Sequence, residues 1–284
     1  KMNVSMIAVD EAHCISQWGY DFRPPYLEIA EIRSFFPSVP ILALTATATP
    51  EVVDDIQEKL KFHKKNVFQK SFKRDNLTYY VVKEEDKNGR LLRIAQRYKG
   101  TGIIYVRNRR KTKEVALFLK QHNIPADFYH AGLDAATRDK KQNDWMVNKT
   151  RIIVSTNAFG MGIDKPDVRF VVHIDIPDTL EAYFQEAGRG GRDEKDSIAV
   201  MLYDNNDIRE LKRNFTLSYP TIETIHKIYD SLANYFHIAV RSGKNATFPF
   251  DILQFSQKFK LNLTTVYNSI KLLEKAGVLF YIED

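Results

Sequence analysis

Asp10 and Glu11 follow directly on an apolar run, Met6-Ile7-Ala8-Val9, and lead into Ala12 and His13. Adjacent carboxylates at the end of a buried strand project into the crevice where ligands bind in open α/β sheets. There Asp10 suits a Mg²⁺ ion carried on a nucleotide, and Glu11 suits orienting and deprotonating an attacking water. Far along the chain, Arg189 and Arg192 stand three residues apart in a glycine-rich stretch, so on a helical turn both would project to one side. Guanidinium groups projecting together suit an anionic partner such as a phosphate. Each pair has a plain alternative: acidic residues in a solvated loop, or surface arginines in a turn.

Between these pairs lie residues suited to gripping a polymer. Gln17, Trp18, Tyr20, Phe22 and Arg23 share one short polar loop after Cys14-Ile15-Ser16. Aromatic rings and a guanidinium can stack on bases, although loop aromatics also fold back onto a core. His13 has no second ligand at metal spacing. Thr45 and Thr47 sit at a strand end, where hydroxyls can cap the next helix. Gly160 and Gly162 permit backbone to approach a phosphate or ribose closely.

The elements that must position these residues read as alternating buried strands and helices, the pattern of a parallel sheet with crossovers. Residues 6–9 and 39–44 are strands, with a helix expected over Tyr26–Phe36 between them and another opened by Pro50 with Val53, Ile56 and Leu60 inward. A second series runs through residues 102–106, 126–129, 152–154, 170–174 and 198–202. The fold class expected is α/β: an incomplete first parallel-sheet domain over 1–72, a complete second one over 73–207, and a C-terminal module over 208–284. In that module Ile222, Ile225, Ile228, Tyr229, Leu232, Tyr235 and Phe236 are spaced for one buried face. Its last part reads helix, helix, strand, with Gly277 ending the second helix before Val278–Ile282, the outline of a winged helix-turn-helix. Thr264, Thr265, Tyr267, Asn268, Lys271 and Lys275 fall off the buried stripe, placed for duplex phosphates or for a protein surface.

Composition bounds the reading. The net charge of +6 and pI near 9.1 lean toward an anionic partner, and the basic excess lies after residue 72. One cysteine excludes an intramolecular disulfide and any cysteine-rich zinc site. The lone cysteine suits a reducing cytosol, and a cytoplasmic protein is expected, nucleoid-associated if bacterial; no apolar run of about 18 residues exists to span a membrane.

The sequence Asp10 to Pro24, DEAHCISQWGYDFRP, resembles motif II and the aromatic-rich loop of RecQ-family DNA helicases. Thr45-Ala46-Thr47-Ala48 resembles motif III, and Tyr105 with Arg107 to Arg109 resembles motif IV. Tyr129-His130-Ala131-Gly132-Leu133 is typical of the family. Ser155 to Arg169 is similar to motif V, and Gln185 to Asp193 to motif VI. The resemblance implies RecA-like motor domains that couple ATP hydrolysis, with Mg²⁺, to 3′–5′ movement along single-stranded DNA and to unwinding at duplex junctions, in repair and recombination. It implies that Arg192 is the arginine finger and Arg189 a phosphate or interdomain contact. Asp164 and Gln185, with Gly162, would serve the nucleotide. Gln17, Trp18, Phe22, Arg23, Arg107, Arg109, His130, Ser155 and Thr156 would serve DNA and its coupling to hydrolysis, as would His13, Thr45, Thr47 and Lys271. Two departures matter. Nothing matches the G-x-x-x-x-G-K-[ST] phosphate loop, so these residues alone are expected to bind ATP poorly and not to hydrolyse it. The four-cysteine zinc module of many members is absent from Ile208–Lys244, so no zinc is expected. Competing readings are an RNA helicase of the same superfamily, a nucleic-acid-binding module with a dead nucleotide site, and a winged-helix regulator.

Overall fold

The computed structural model describes residues 3–16, 23–46, 48–71, 73–160, 163–239 and 242–283. The chain divides into two compact units, Lys1–Asp204 and Asn205–Asp284. The first unit holds two separate parallel sheets.

The smaller sheet pairs β1 (Ile7–Val9) with β2 (Ile41–Ala43), Ile7 opposite Ile41. The helix expected between them is instead a 3-10 helix, Pro24–Glu31, running into the four-residue α1, Ile32–Phe35. Two prolines at its start contribute no amide donors. Helix α2, Pro50–Lys59, begins as the sequence dictates: Pro50 needs no amide partner there, and Thr49 accepts from the Val52 amide at 3.5 Å. Its inward face is Val52, Ile56 and then Leu60, rather than Val53, packed with Val9, Ala12, Ile15 and Ile41.

The larger sheet is all parallel, in the order β3-β8-β7-β4-β6-β5. Its parts follow in sequence as β3 (Leu77–Lys83), α3 (Lys87–Arg97), β4 (Thr101–Tyr105), α4 (Arg109–Gln121) and β5 (Ala126–Tyr129). Then come α5 (Ala135–Met146), β6 (Ile152–Ser155), β7 (Val168–His173), α6 (Leu180–Ala187) and β8 (Ser197–Tyr203). The period-2 alternation of strand side chains sorts the core into two layers. Ile104, Val154, Phe170, Val172 and Val200 face α3 and α4 through Leu91, Ile94, Val115 and Leu119. Ile103, Tyr105, Ile153 and Val171 face the other way, onto Trp145 of α5 and Phe159. Tyr183 and Ala187 of α6 cover Leu77 and Ala199. A sheet buried on both faces is why these strands read as unbroken apolar runs.

The second unit comprises α7 (Asn205–Ser218), α8 (Ile222–Tyr235), α9 (Ile252–Lys258) and α10 (Leu263–Lys275). Helix α7 belongs to it, so the unit starts at Asn205, three residues before the boundary expected at 208. Its core is Ile228, Leu232, Phe255, Val266 and Ile270, while Ile222 and Tyr229 of the expected stripe are exposed. The expected strand Val278–Ile282 is not formed among the described residues. Leu279 and Tyr281 pack on the core, Val278, Phe280 and Ile282 face outward, and no neighbouring strand supplies a ladder. No described helix is long and apolar enough to cross a membrane.

Candidate functional site

The chain turns sharply where β1 ends. Glu11 adopts the left-handed conformation, φ 48° and ψ 41°, with its amide bonded to the Asp10 carboxylate at 2.9 Å. Such a backbone costs a non-glycine residue on the order of 1 kcal/mol and is held here by its surroundings. The Ala12 amide donates to the Leu44 carbonyl at 2.9 Å and the Leu44 amide to that of Val9 at 2.8 Å, so the turn is bound to the end of β2. Asp10 is exposed and Glu11 partly so, which leaves hard carboxylate oxygens at the strand's C-terminal end. That donor type suits Mg²⁺ carried on phosphates.

Behind the carboxylates a polar chain runs inward. His13, buried to 1% exposure, lies with Nδ1 3.4 Å from Glu11 Oε2 and 3.0 Å from Thr45 Oγ1. The capping alternative for the threonines is taken by Thr49 at α2, while Thr45 engages His13. On its other side Glu11 accepts from Gln185 Nε2 at 3.2 Å. Residues 174 apart in sequence thereby meet, joining the small sheet's edge to α6.

The two arginines lie beyond the end of α6, in a turn rather than on a helix, so they do not share a face. Arg189 is buried, its Nη1 donating to the Gly160 carbonyl at 2.7 Å. Gly160, at φ +156°, has Arg189 directly against it: a Cβ would fall 2.1 Å from Nη2. What the glycine admits here is the guanidinium. Arg192 points outward, with Nη1 donating to Asp164 Oδ1 at 2.8 Å and to the Ile163 carbonyl at 3.0 Å.

A further set lies at the C-terminal edge of the large sheet. Arg107 donates from its amide to Asp175 Oδ2 and from Nε to the Ile176 carbonyl, both at 2.8 Å, and from Nη2 to Asp178. An open cavity of about 100 Å³ beside it is lined by Tyr105, His173, Asp175, Asp178 and Glu186 among others. Exposed Arg109 lies over Gly132, close to His130. Burial first, then the positive charge of Arg109, holds His130 below the usual histidine range. Thr156 is buried and accepts from the Ala158 amide at 3.5 Å. Ser155 departs from expectation. It is fully buried, and its hydroxyl is within bonding distance of the Tyr129 and Thr156 carbonyls at 2.9 and 2.7 Å, so it faces the interior rather than a nucleic-acid surface.

In the second unit Lys271 is likewise engaged within the protein. Its Nζ pairs with Glu283 at 2.9 Å and Glu274 at 3.1 Å and lies 5.1 Å from the centre of the Tyr281 ring. It is therefore not presented to a phosphate. Arg23 begins the described chain after the aromatic loop, its amide donating to the Cys14 carbonyl at 2.8 Å. Gln17, Trp18, Tyr20, Phe22, Thr47 and Gly162 lie outside the described residues.

Four residues that matter to this geometry were not singled out in the sequence. His173 and Glu186, both buried, join β7 to α6 at 2.8 Å, with the Tyr105 ring stacked 5.1 Å from His173. A histidine inside Val171-Val172-His173-Ile174 carries a signal, since a buried polar group must find a partner. Arg74 and Asn76, in the polar stretch before β3, reach the carbonyls of the arginine turn.

The DEAD/DEAH box helicase family matches residues 2–56, and the helicase conserved C-terminal domain matches residues 86–194. The RecQ-like DNA helicase blm-1 of Caenorhabditis elegans is 43% identical over 74% of this chain and 22% of its own length. The ATP-dependent DNA helicase RecQ of Pasteurella multocida is 43% identical over 72% of this chain and 32% of its own length. The chain thus spans about a fifth to a third of these relatives. Among solved structures, Saccharomyces cerevisiae Dbp5 bound to RNA and ADP BeF3 superposes with a TM-score of 0.57 at 20% identity, over 75% of this chain and 59% of that one. That likeness is one of fold.

Proposed function

Because this chain belongs to the RecQ family of helicases, we propose that it forms part of an ATP-dependent DNA helicase that moves 3′ to 5′ on single-stranded DNA and unwinds duplex at junctions. In this reading residues 1–72 are the C-terminal part of a first motor domain and 73–207 a second one. Residues 208–284 are a helical and winged-helix-like module in which the fold is held by apolar packing. Hydrolysis is proposed for the protein that also carries a phosphate-binding loop, which is not among these residues.

The observation that carries the reading is the Glu11–Gln185 contact at 3.2 Å. It brings the edge with two carboxylates against the helix that leads into two arginines. Asp10 would hold Mg²⁺ on the nucleotide, and the ion would neutralise charge on the phosphates. Glu11 orients the attacking water and takes its proton, while Gln185 fixes the Glu11 carboxylate and His13 supports it from behind. Arg192, released from Asp164, meets the charge developing on the γ-phosphate. Arg189 stays on Gly160 and stiffens the loop. Nucleic acid would lie along the loop after Ser16 and the large sheet's C-terminal edge, near Arg109 and His130, so that strand contact reaches Glu11 through His13 and Thr45. Roles in repair and recombination follow from the same family reading.

The test is DNA-stimulated ATPase activity and strand separation by the full-length protein, on DNA and RNA duplexes in parallel. Glu11→Gln should lower kcat by about 10²–10⁴-fold with nucleotide still bound. ATP turnover indifferent to DNA would favour the module with a dead nucleotide site; unwinding of RNA in preference to DNA would favour the other branch of the superfamily.

A further inference from the structure

The segment that joins the two sheets is hydrogen-bonded to the arginine turn itself. Arg74 Nη1 donates to the Gly188 carbonyl at 2.9 Å, and Nη2 donates to the Gly191 carbonyl. Asn76 Nδ2 donates to the same Gly191 carbonyl at 2.7 Å and to that of Lys195 at 2.9 Å. Gly188 immediately precedes Arg189, and Gly191 immediately precedes Arg192. A carbonyl and the amide that follows it lie in one rigid peptide plane. Gripping these two oxygens therefore fixes the planes from which both arginines spring.

The grip leaves little slack. Gly191 is buried with φ +58°, and a Cβ there would fall 2.4 Å from Ser197 Oγ and 2.6 Å from Asn76 Nδ2. The Gly191 amide donates to the Val168 carbonyl at 2.8 Å, and the Ser197 amide to that of Asn76 at 2.9 Å. The turn is thus tied to β7 on one side and to the joining segment on the other. The two arginines differ in what holds their far ends. Arg189 is buried on Gly160, whereas Arg192 is held by one backbone carbonyl, that of Ile163, and by Asp164, whose side chain is 85% exposed. An ion pair with so exposed a partner holds weakly, so small changes at the base of Arg192 redirect it.

We infer that Arg74 and Asn76 are positioning residues that transmit movement of the segment between the two sheets into the direction of Arg192. The inference rests on the ATPase reading above, in which Arg192 acts on the γ-phosphate. Lysine at 74 carries one ammonium in place of the forked guanidinium, so it does not span two carbonyls.

The test uses the full-length protein with Arg74→Met, Arg74→Lys and Asn76→Ser. Steady-state ATPase with and without single-stranded DNA, nucleotide affinity from a fluorescent ATP analogue, and melting temperature are measured on each. Arg74→Met should lower the DNA-stimulated kcat by about 10²-fold, the scale of a misplacement near 1 Å, while nucleotide affinity changes less than about threefold. Arg74→Lys should restore little of it, and Asn76→Ser should show a smaller effect in the same direction. ATP consumed per base pair unwound, from strand separation measured in parallel, should rise in all three. Unchanged kcat in a folded Arg74→Met protein overturns the inference, as does full recovery with lysine. Should Arg74→Met melt below the assay temperature, the same split between kcat and affinity is read on Asn76→Ser. A wild-type protein without DNA-stimulated ATPase would instead overturn the reading of function, so the two failures are distinct.

Discussion

Arg189 and Gly160 are packed face to face: the guanidinium covers the glycine α-carbon, and its Nη1 donates to the glycine carbonyl at 2.7 Å. Motif V and motif VI are joined at this point inside one domain. The glycine is required by its neighbour as much as by its own backbone.

Gly160→Ala should therefore destabilise the domain. The added methyl would fall 2.1 Å from Arg189 Nη2 at a φ of +156°. Overpacking and backbone strain together cost roughly 1–3 kcal/mol. The expected result is a melting temperature lower by several degrees and a reduced DNA-stimulated kcat in the full-length protein. An unchanged melting temperature would show that the guanidinium relocates freely and that the packing is incidental.

His13 and Thr45 should behave as a pair. Their contact at 3.0 Å ties the carboxylate turn to the segment after β2. Thr45→Val and His13→Ala should each lower DNA stimulation of ATPase, and the double variant should lose less than the sum. A coupling of about 0.5–2 kcal/mol in kcat is expected from residues in one network. Strict additivity would mean that the signal from bound strand bypasses this bond.

Tyr183 offers a stability test with a defined pH window. Its hydroxyl is buried and has no hydrogen-bond partner among the described residues, and burial pushes its pKa up to about 12. Tyr183→Phe removes an unsatisfied group without leaving a cavity and should be neutral or stabilising by about 1 kcal/mol near pH 7. In the folded protein the phenol ionises later than in the unfolded chain. This group therefore leaves wild-type stability independent of pH below about pH 10 and lowers it as pH rises toward 12. The difference in melting temperature between wild type and Tyr183→Phe should widen across that interval. A constant difference would place the hydroxyl in contact with water.

How much of this was legible in the sequence depended on the range of the interaction. The apolar runs of the large sheet were readable because both of its faces are buried, which leaves no ambiguity of period. The order of motif residues from Asp10 to Arg192 was readable as well. What sequence could not supply was partner choice across the chain. Arg107 stood out as an arginine for a strand of DNA, yet its guanidinium is met by Asp178 and the Ile176 carbonyl, 69 and more residues away. Ser155 ends a strand that the sheet buries completely. Arg74 and Asn76 looked like ordinary polar residues in a connection, because their partners are backbone carbonyls, which no sequence pattern marks. Val278–Ile282 has strand composition, but a strand needs a neighbour, and composition does not provide one.

Lys271, on α10, is engaged by carboxylates of its own unit. Its ammonium sits between Glu283 at 2.9 Å and Glu274 at 3.1 Å, and the hydrogen bond to Glu283 is the main cause that holds its pKa above the usual lysine range. The Glu283 carboxyl is correspondingly held below its usual range by the same bond. That contribution to stability is present above the unfolded carboxylate pKa and fades as pH falls through the lowered folded value. Lys271→Met should therefore shrink the acid-side loss of stability in the second unit, read by melting at pH 7 and pH 4. Duplex DNA affinity of the full-length protein should stay within about twofold, with an unaltered dependence on salt. A lysine that contacts a phosphate would instead reduce the salt slope by about one on removal. A slope that falls by one would show that the ion pair opens on binding and that Lys271 turns outward to the nucleic acid.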